Sequence, residues 1–201
     1  MQRRALDFLL SAAGLLLVAV FVVAGALLLW AHIYVGNQVY TQLSQQKIFF
    51  PPANSAAVAA PEFAPMRQYG GQQMTTGAQA RVYADYFIAN HLKEIGGGKT
   101  YSQLSTEAQA NPHDTALAAK VDTLFKGQTL RGLLLNAYAF GTMGMIALWA
   151  AIAAFVAAIL MLILSIFGIM HARKTGPEEQ VLGSNGGRRR AKEDTPSPAG
   201  T

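Results

Sequence analysis

The chain reads as an all-α membrane protein: two transmembrane helices forming a helical hairpin, with a small, mostly helical extracytoplasmic loop domain between them. Three observations carry that reading. Hydrophobic residues make up 52% of the 201 positions and charged residues only 13%. The apolar residues fall in two blocks, with no Asp, Glu, Lys or Arg from Phe8 to Gln46 or from Gly132 to Met170. Half of the 16 Lys and Arg residues lie in the short stretches outside these blocks and the loop.

Each block holds more than the ~20 apolar residues needed to cross ~30 Å of hydrocarbon. The first span is placed at 9–34 after a cytoplasmic N-terminus of 1–8, and the second long helix at 133–170, crossing the membrane over about 143–170. Two buried helices of a soluble protein would need a surrounding shell, and the intervening chain is too polar and too rich in small residues to supply it. The start Met1-Gln2-Arg3-Arg4 suits a signal peptide. The apolar run that follows is longer than the 7–15 residues of a signal core, so it reads as an uncleaved signal-anchor.

Two spans put both ends on one side. Arg3 and Arg4 precede the first; Arg173, Lys174, Arg188, Arg189, Arg190 and Lys192 follow the second. The loop carries eight bases of its own, but across nearly a hundred residues, where the positive-inside rule has little force. Short basic flanks therefore place both termini in the cytoplasm and the loop outside the plasma membrane, against the weak opposition of Arg131. The net charge of +5 gathers beside the spans and does not point to nucleic acid. With no cysteine, disulfides, thiolate metal sites and a thioether lipid anchor are excluded.

In the loop, 35–132, the first helix is expected to continue through Val39, Leu43 and Gln46 and to stop at Pro51-Pro52. The stretch from Pro51 to Met74 has no period and reads as irregular extended chain. A helix near 76–95 opens at Thr76 as N-cap, with Val82, Tyr83, Tyr86, Phe87, Ile88 and Leu92 on its apolar face. Gly96-Gly97-Gly98 ends it, because glycine takes the left-handed cap conformation without a steric penalty. A further helix near 112–126 opens at Asn111-Pro112 with the stripe Leu117, Val121, Leu124 and Phe125, and is expected to run with a break at Gly127 toward the second span. Two such helices make a thin core, so the loop domain should lean on the spans or on a partner. The tail, 171–201, has the Gly, Pro, Ser and mixed-charge composition of a disordered cytoplasmic segment. Its bases, with Arg173 and Lys174, could touch lipid headgroups at ~1 kcal/mol per charge, but topology and solubility are the simpler account of them.

The sequence offers no catalytic constellation. There is no nucleophile elbow, and His32, His91, His113 and His171 are too far apart for a zinc or iron motif. Gly96-Gly97-Gly98-Lys99-Thr100 lacks the spacing of a phosphate loop. Neither catalytic nor metal-binding residues are assigned, and no cofactor is expected. The second span does carry small residues: Gly144, Ala147, Ala151, Ala154, Ala158 and Ser165 share one side of the helix. Helices in lipid associate through close backbone approach over such residues, so this is the candidate helix-contact face. Alanine fills nearly half of positions 144 to 158, so composition alone would produce some stripe. The face could serve internally, against the Ala12, Ala19 and Ala26 side of the first span, or bind a partner.

Several stretches look familiar together: Gln42-Leu43, Lys47-Ile48 and Pro51 after the first span, then ARVYADYFIANHLKEIGGGKTY from Ala80 to Tyr101, then Leu130-Arg131. In these the chain resembles an actinobacterial family of small two-span membrane proteins, often labelled aromatic ring-opening dioxygenases. The resemblance covers most of residues 1–170 and none of the tail. It implies a non-catalytic accessory subunit of the cytochrome bcc–aa3 respiratory supercomplex, in the role of a respiratory supercomplex association factor. The dioxygenase label would need an iron site that the histidines do not form. The partners implied are membrane lipids and subunits of a larger integral membrane complex. The alternative is a stand-alone envelope protein whose outer domain binds a peptide, lipid or wall component. The topology is directly testable: a cysteine at Ser197 should be shielded from an impermeant thiol reagent in intact cells, and one at Ser102 labelled. The reverse pattern would invert the orientation.

Overall fold

The computed structural model describes residues 3–174; the tail from 175, with Arg188, Arg189 and Arg190, lies outside the described residues. Among them the order is α1 (Arg3–Gln45), two 3-10 turns (Ala56–Val58 and Pro61–Tyr69), α2 (Gly77–Val82), a π-helical turn (Tyr83–Ile88), α3 (Ala89–Ile95), α4 (Tyr101–Ala110) and α5 (Thr115–Lys174). No strand forms among the described residues. At 43 and 60 residues, α1 and α5 are long and apolar enough to cross a membrane. Large apolar side chains such as Leu16, Leu27, Trp149 and Leu164 point outward, unlike those of a soluble core helix. The chain divides into two compact units, residues 1–24 with 153–201, and residues 25–152.

In the second unit, α1 ends at Gln45, six residues before the expected stop at Pro51. The cause is local. Lys47 adopts a left-handed conformation at φ 51°, and its N–H donates to the Ser44 carbonyl. That carbonyl also accepts from Gln73 Nε2 at 2.7 Å, so this helix-end acceptor has two donors. The chain then pairs with itself: Phe50 N–H donates to Gln72 O at 2.9 Å and Met74 N–H to Ile48 O at 2.8 Å. The proline-rich stretch is thus a closed strap containing two 3-10 turns, where extended chain was expected. Arg67 holds its interior, donating to the carbonyls of Val58, Ala59 and Ala60.

Two capping boxes start the next helices. Thr76 Oγ1 accepts from Gln79 N–H, and the Gln79 side chain accepts from the Thr76 N–H; Thr100 and Gln103 repeat the arrangement. The first box opens the helix expected there, and Gly97 and Gly98, at φ 59° and 82°, follow its end. The second opens α4, which was not expected at all. Asn111, Pro112 and His113 turn the chain, and Asp114 caps α5 by accepting from Leu117 N–H at 2.9 Å. Proline is therefore outside the helix rather than in its first turn. Nor does α5 break at Gly127, where a Cβ would run into the Leu92 side chain, so glycine there permits close packing.

The core of this unit joins Val39 and Leu43 of α1 and Leu134 of α5 to Phe50, Val58, Met66 and Met74 of the strap. Ala80 and Ala84, both fully buried, bring the α2–π–α3 stretch in close. The π-helical turn adds a residue to the helical repeat, which leaves Tyr86 exposed while Tyr83, Phe87 and Ile88 pack inward. Phe125, expected on the α5 stripe, is also exposed and meets the Tyr101 ring at 5.6 Å. Tyr83 lies edge-on to Phe50, and burial pushes its phenol above the usual tyrosine range.

A close approach of backbone to backbone joins α2 to α5 at Gly77, where an added Cβ would stand 2.8 Å from Ala137 O and 3.0 Å from Tyr138 Cα. Both are backbone atoms of α5, so relief requires a helix to shift. Gly77→Ala should cost about 1–3 kcal/mol of stability in thermal or denaturant unfolding. Gly36→Ala, where nothing lies within 4 Å of the new Cβ, should be neutral or gain up to about 1 kcal/mol. Equal effects would remove the close-approach explanation.

Candidate functional site

The face chosen on α5 is an interior one. Gly144, Ala151, Ala158 and Ser165, seven residues apart, are each buried, and Ala147 and Ala154 are half-buried. Ala172, one further step of seven, is buried too, whereas Ala153 is exposed. A repeat of seven is 3.5 residues per turn, the spacing that keeps one face of a helix on a neighbouring helix. On α1 the buried positions among the described residues are Ser11, Gly14, Gly25, Val39 and Leu43, with Val18, Leu28, His32 and Val35 partly covered in the same register as the first four. The expected partner side, Ala12, Ala19 and Ala26, is exposed.

In the first unit the packing is reciprocal. A Cβ at Gly14 would collide with Ser165 Oγ, and one at Gly168 with Ser11 Oγ. Each helix therefore presents a serine followed three residues later by a glycine, and each serine fills the space above the other helix's glycine. Ser11 Oγ also donates to the Asp7 carbonyl at 2.8 Å, which satisfies the hydroxyl inside its own helix. Asp7, Ser11, Ser165 and His171 line one pocket at this end. Sequence reasoning treated none of Asp7, Ser11 or Gly14 as part of the contact; the repeated Ser-x-x-Gly spacing was the available signal. Arg173 and Lys174 are exposed in the last turn of α5, where cations complement the helix dipole.

In the second unit His32 Nδ1 lies 2.8 Å from the Gly144 carbonyl. A carbonyl only accepts, so Nδ1 carries the proton, and the imidazole ties α1 to α5 beside the contact of Val35 with Gly144. Asp85, on the π-helical turn, pairs with Arg131 of α5 at 2.9 Å and with Arg81 at 3.6 Å. Arg81 in turn donates to Tyr138 Oη at 3.0 Å and lies over its ring. Arg131, the base that weakly opposed the topology, thus has a structural partner. His91 donates to the Phe87 carbonyl and stacks beside Phe63 and Phe87, while His113 is exposed in the turn before α5. No group of three or more potential metal ligands forms among the described residues.

Compared with models of known families, with curated proteins and with solved structures, the chain gives no match. What the described residues show is a helical chain with two helices long and apolar enough to cross a membrane, with small residues buried on each.

Because the seven-residue face is interior, bulk added there should act on the hairpin itself. Ala151→Leu should destabilise by about 1–3 kcal/mol through overpacking, whereas Ala153→Leu should stay within about 0.5 kcal/mol of the parent. Thermal unfolding in mild detergent separates the two, and equal effects would reduce the stripe to composition.

Proposed function

We propose that this chain is a non-catalytic accessory subunit of the plasma membrane. It spans the bilayer twice, both termini are cytoplasmic, and the segment between the spans packs outside. It lies against a larger integral membrane complex, for which the family resemblance indicates the cytochrome bcc–aa3 supercomplex.

The observation that carries this reading is how the two kinds of side chain are used. In the most apolar stretch of each long helix only 11% of residues are buried within the chain, which leaves broad apolar faces for lipid and a partner. Several side chains that could do chemistry are committed to holding the fold: Asp85 with Arg131 and Arg81, His32 on Gly144, and His91 beside aromatic rings. A subunit of this kind contributes contact surface and cohesion.

Purification in mild detergent with mass spectrometry of the partners tests it. Haem-containing subunits should accompany the protein, and deleting the chain should reduce the amount or cohesion of the complex without altering its spectrum. His91→Ala with His113→Ala should leave electron transfer intact. Purification free of haem proteins, or stoichiometric metal lost in the double variant, would overturn the reading.

A further inference from the structure

In the second unit the strap and helices α2–α3 cover one side of the α1/α5 pair, packing on Val39, Leu43 and Leu134. Between the same two helices lies a groove of about 420 Å³, within the range of small-molecule pockets. Its floor is apolar, built from Val35, Val39, Leu134 and Ala137, and Tyr34, Leu133 and Phe140 wall it while remaining exposed. Gln38 and Gln42 line it from α1, one turn apart, Gln46 from the turn just after α1, and Asn136 adds an amide from α5. No Lys, Arg, Asp or Glu lines it among the described residues.

We propose that this groove binds a neutral, ester-bearing lipid, with an uncharged glyceride as the chemical class. Three features select it. The lining carries no cation, so an anionic phosphate headgroup would lose its water without gaining a counter-charge. The amides supply both donors and acceptors, which suit ester carbonyls and hydroxyls; the Gln42-to-Gln38 contact, at 3.5 Å, is long and leaves most of that capacity free. The groove also adjoins the end of the α1 apolar run, where Trp30 and Tyr34 stack at 5.5 Å, as aromatic residues do at a membrane interface. A membrane lipid would reach it from there with its chain on the apolar floor and its head at the amides. This rests on the membrane-spanning reading but not on any protein partner.

The test uses the full chain purified in a neutral detergent, with dioctanoylglycerol carrying a photoreactive acyl group as the probe. Cross-links, mapped by peptide mass spectrometry, should fall in 34–46 and 130–140. Unlabelled dioctanoylglycerol should compete at least about tenfold better than dioctanoylphosphatidylglycerol, and Gln42→Leu with Asn136→Leu should weaken competition about tenfold, the effect of losing two neutral hydrogen bonds. Leu133→Trp, which fills the groove from an exposed position, should abolish labelling, and Ile163→Trp, on the exposed apolar surface elsewhere, should not. Labelling spread evenly over α1 and α5, or equal competition by the anionic lipid, would overturn the proposal. So would a dimer seen by light scattering that dioctanoylglycerol does not dissociate and Leu133→Trp does, since a second copy would then occupy the groove. Co-purification with haem proteins is scored separately, so failure of the lipid site and failure of the accessory-subunit reading remain distinct outcomes.

Discussion

Close backbone approach between two long helices is the constraint on which the rest of this structure depends. Two helices that are long and apolar enough to cross a membrane would gain little there by burying apolar surface against each other, since hydrocarbon is itself apolar. What remains is dispersion at short range, and that requires small side chains at the contact. The chain meets this with glycine, alanine and serine at seven-residue steps on α5 and with Ser11, Gly14 and Gly25 on α1. The reciprocal serine–glycine packing of Ser11 with Gly168 and Ser165 with Gly14 adds a second condition, because each hydroxyl fills the notch opposite it. Larger residues would push the backbones apart and forfeit contacts along a whole turn.

The same economy of size governs how the intervening segment is attached. It touches α5 through Gly77 and Gly127 and centres its packing on Ala80 and Ala84, so the helix axes come close before any large side chain intervenes. Large residues of the strap, Phe50, Met66 and Met74, then fill the space around that contact. The polar groups are arranged to need few outside partners: the backbone pairing of 48–50 with 72–74 closes the strap, Arg67 satisfies three carbonyls, and the capping boxes satisfy helix-end N–H groups. In the second unit a segment held this way covers one side of the helix pair and leaves the groove between the helices uncovered.

Charged residues in the second unit support this packing rather than compete with it. The Asp85 cluster joins the π-helical turn to α5 through two arginines that are partly exposed, so its main effect is registration of one element on another; ion pairs at such exposure contribute little net stability. The π turn itself places Asp85 toward Arg131 while rotating Tyr86 outward.

The apolar blocks, the uncharged lengths, the capping threonine at Thr76 and the triple glycine are local properties, and the sequence determined them by itself. The grouping of Gly144, Ala147, Ala151, Ala154, Ala158 and Ser165 on one side of α5 is local too, since their spacing along one helix needs no knowledge of its neighbour. The second capping box was equally present in Thr100 and Gln103, yet a search guided by large apolar residues passed over the short, polar α4. Tertiary structure alone decided which face of α1 meets α5, because alanines at 12, 19 and 26 and the Ser11–Gly14–Gly25 side are comparable in size and differ only in what stands opposite. It also decided that α1 ends at Gln45, where pairing of Ile48 and Phe50 with residues 72–74 draws the chain away before the prolines are reached. The groove belongs wholly to this second class: its lining comes from residues about a hundred positions apart, and a cavity is a relation between surfaces that no single stretch of chain encodes.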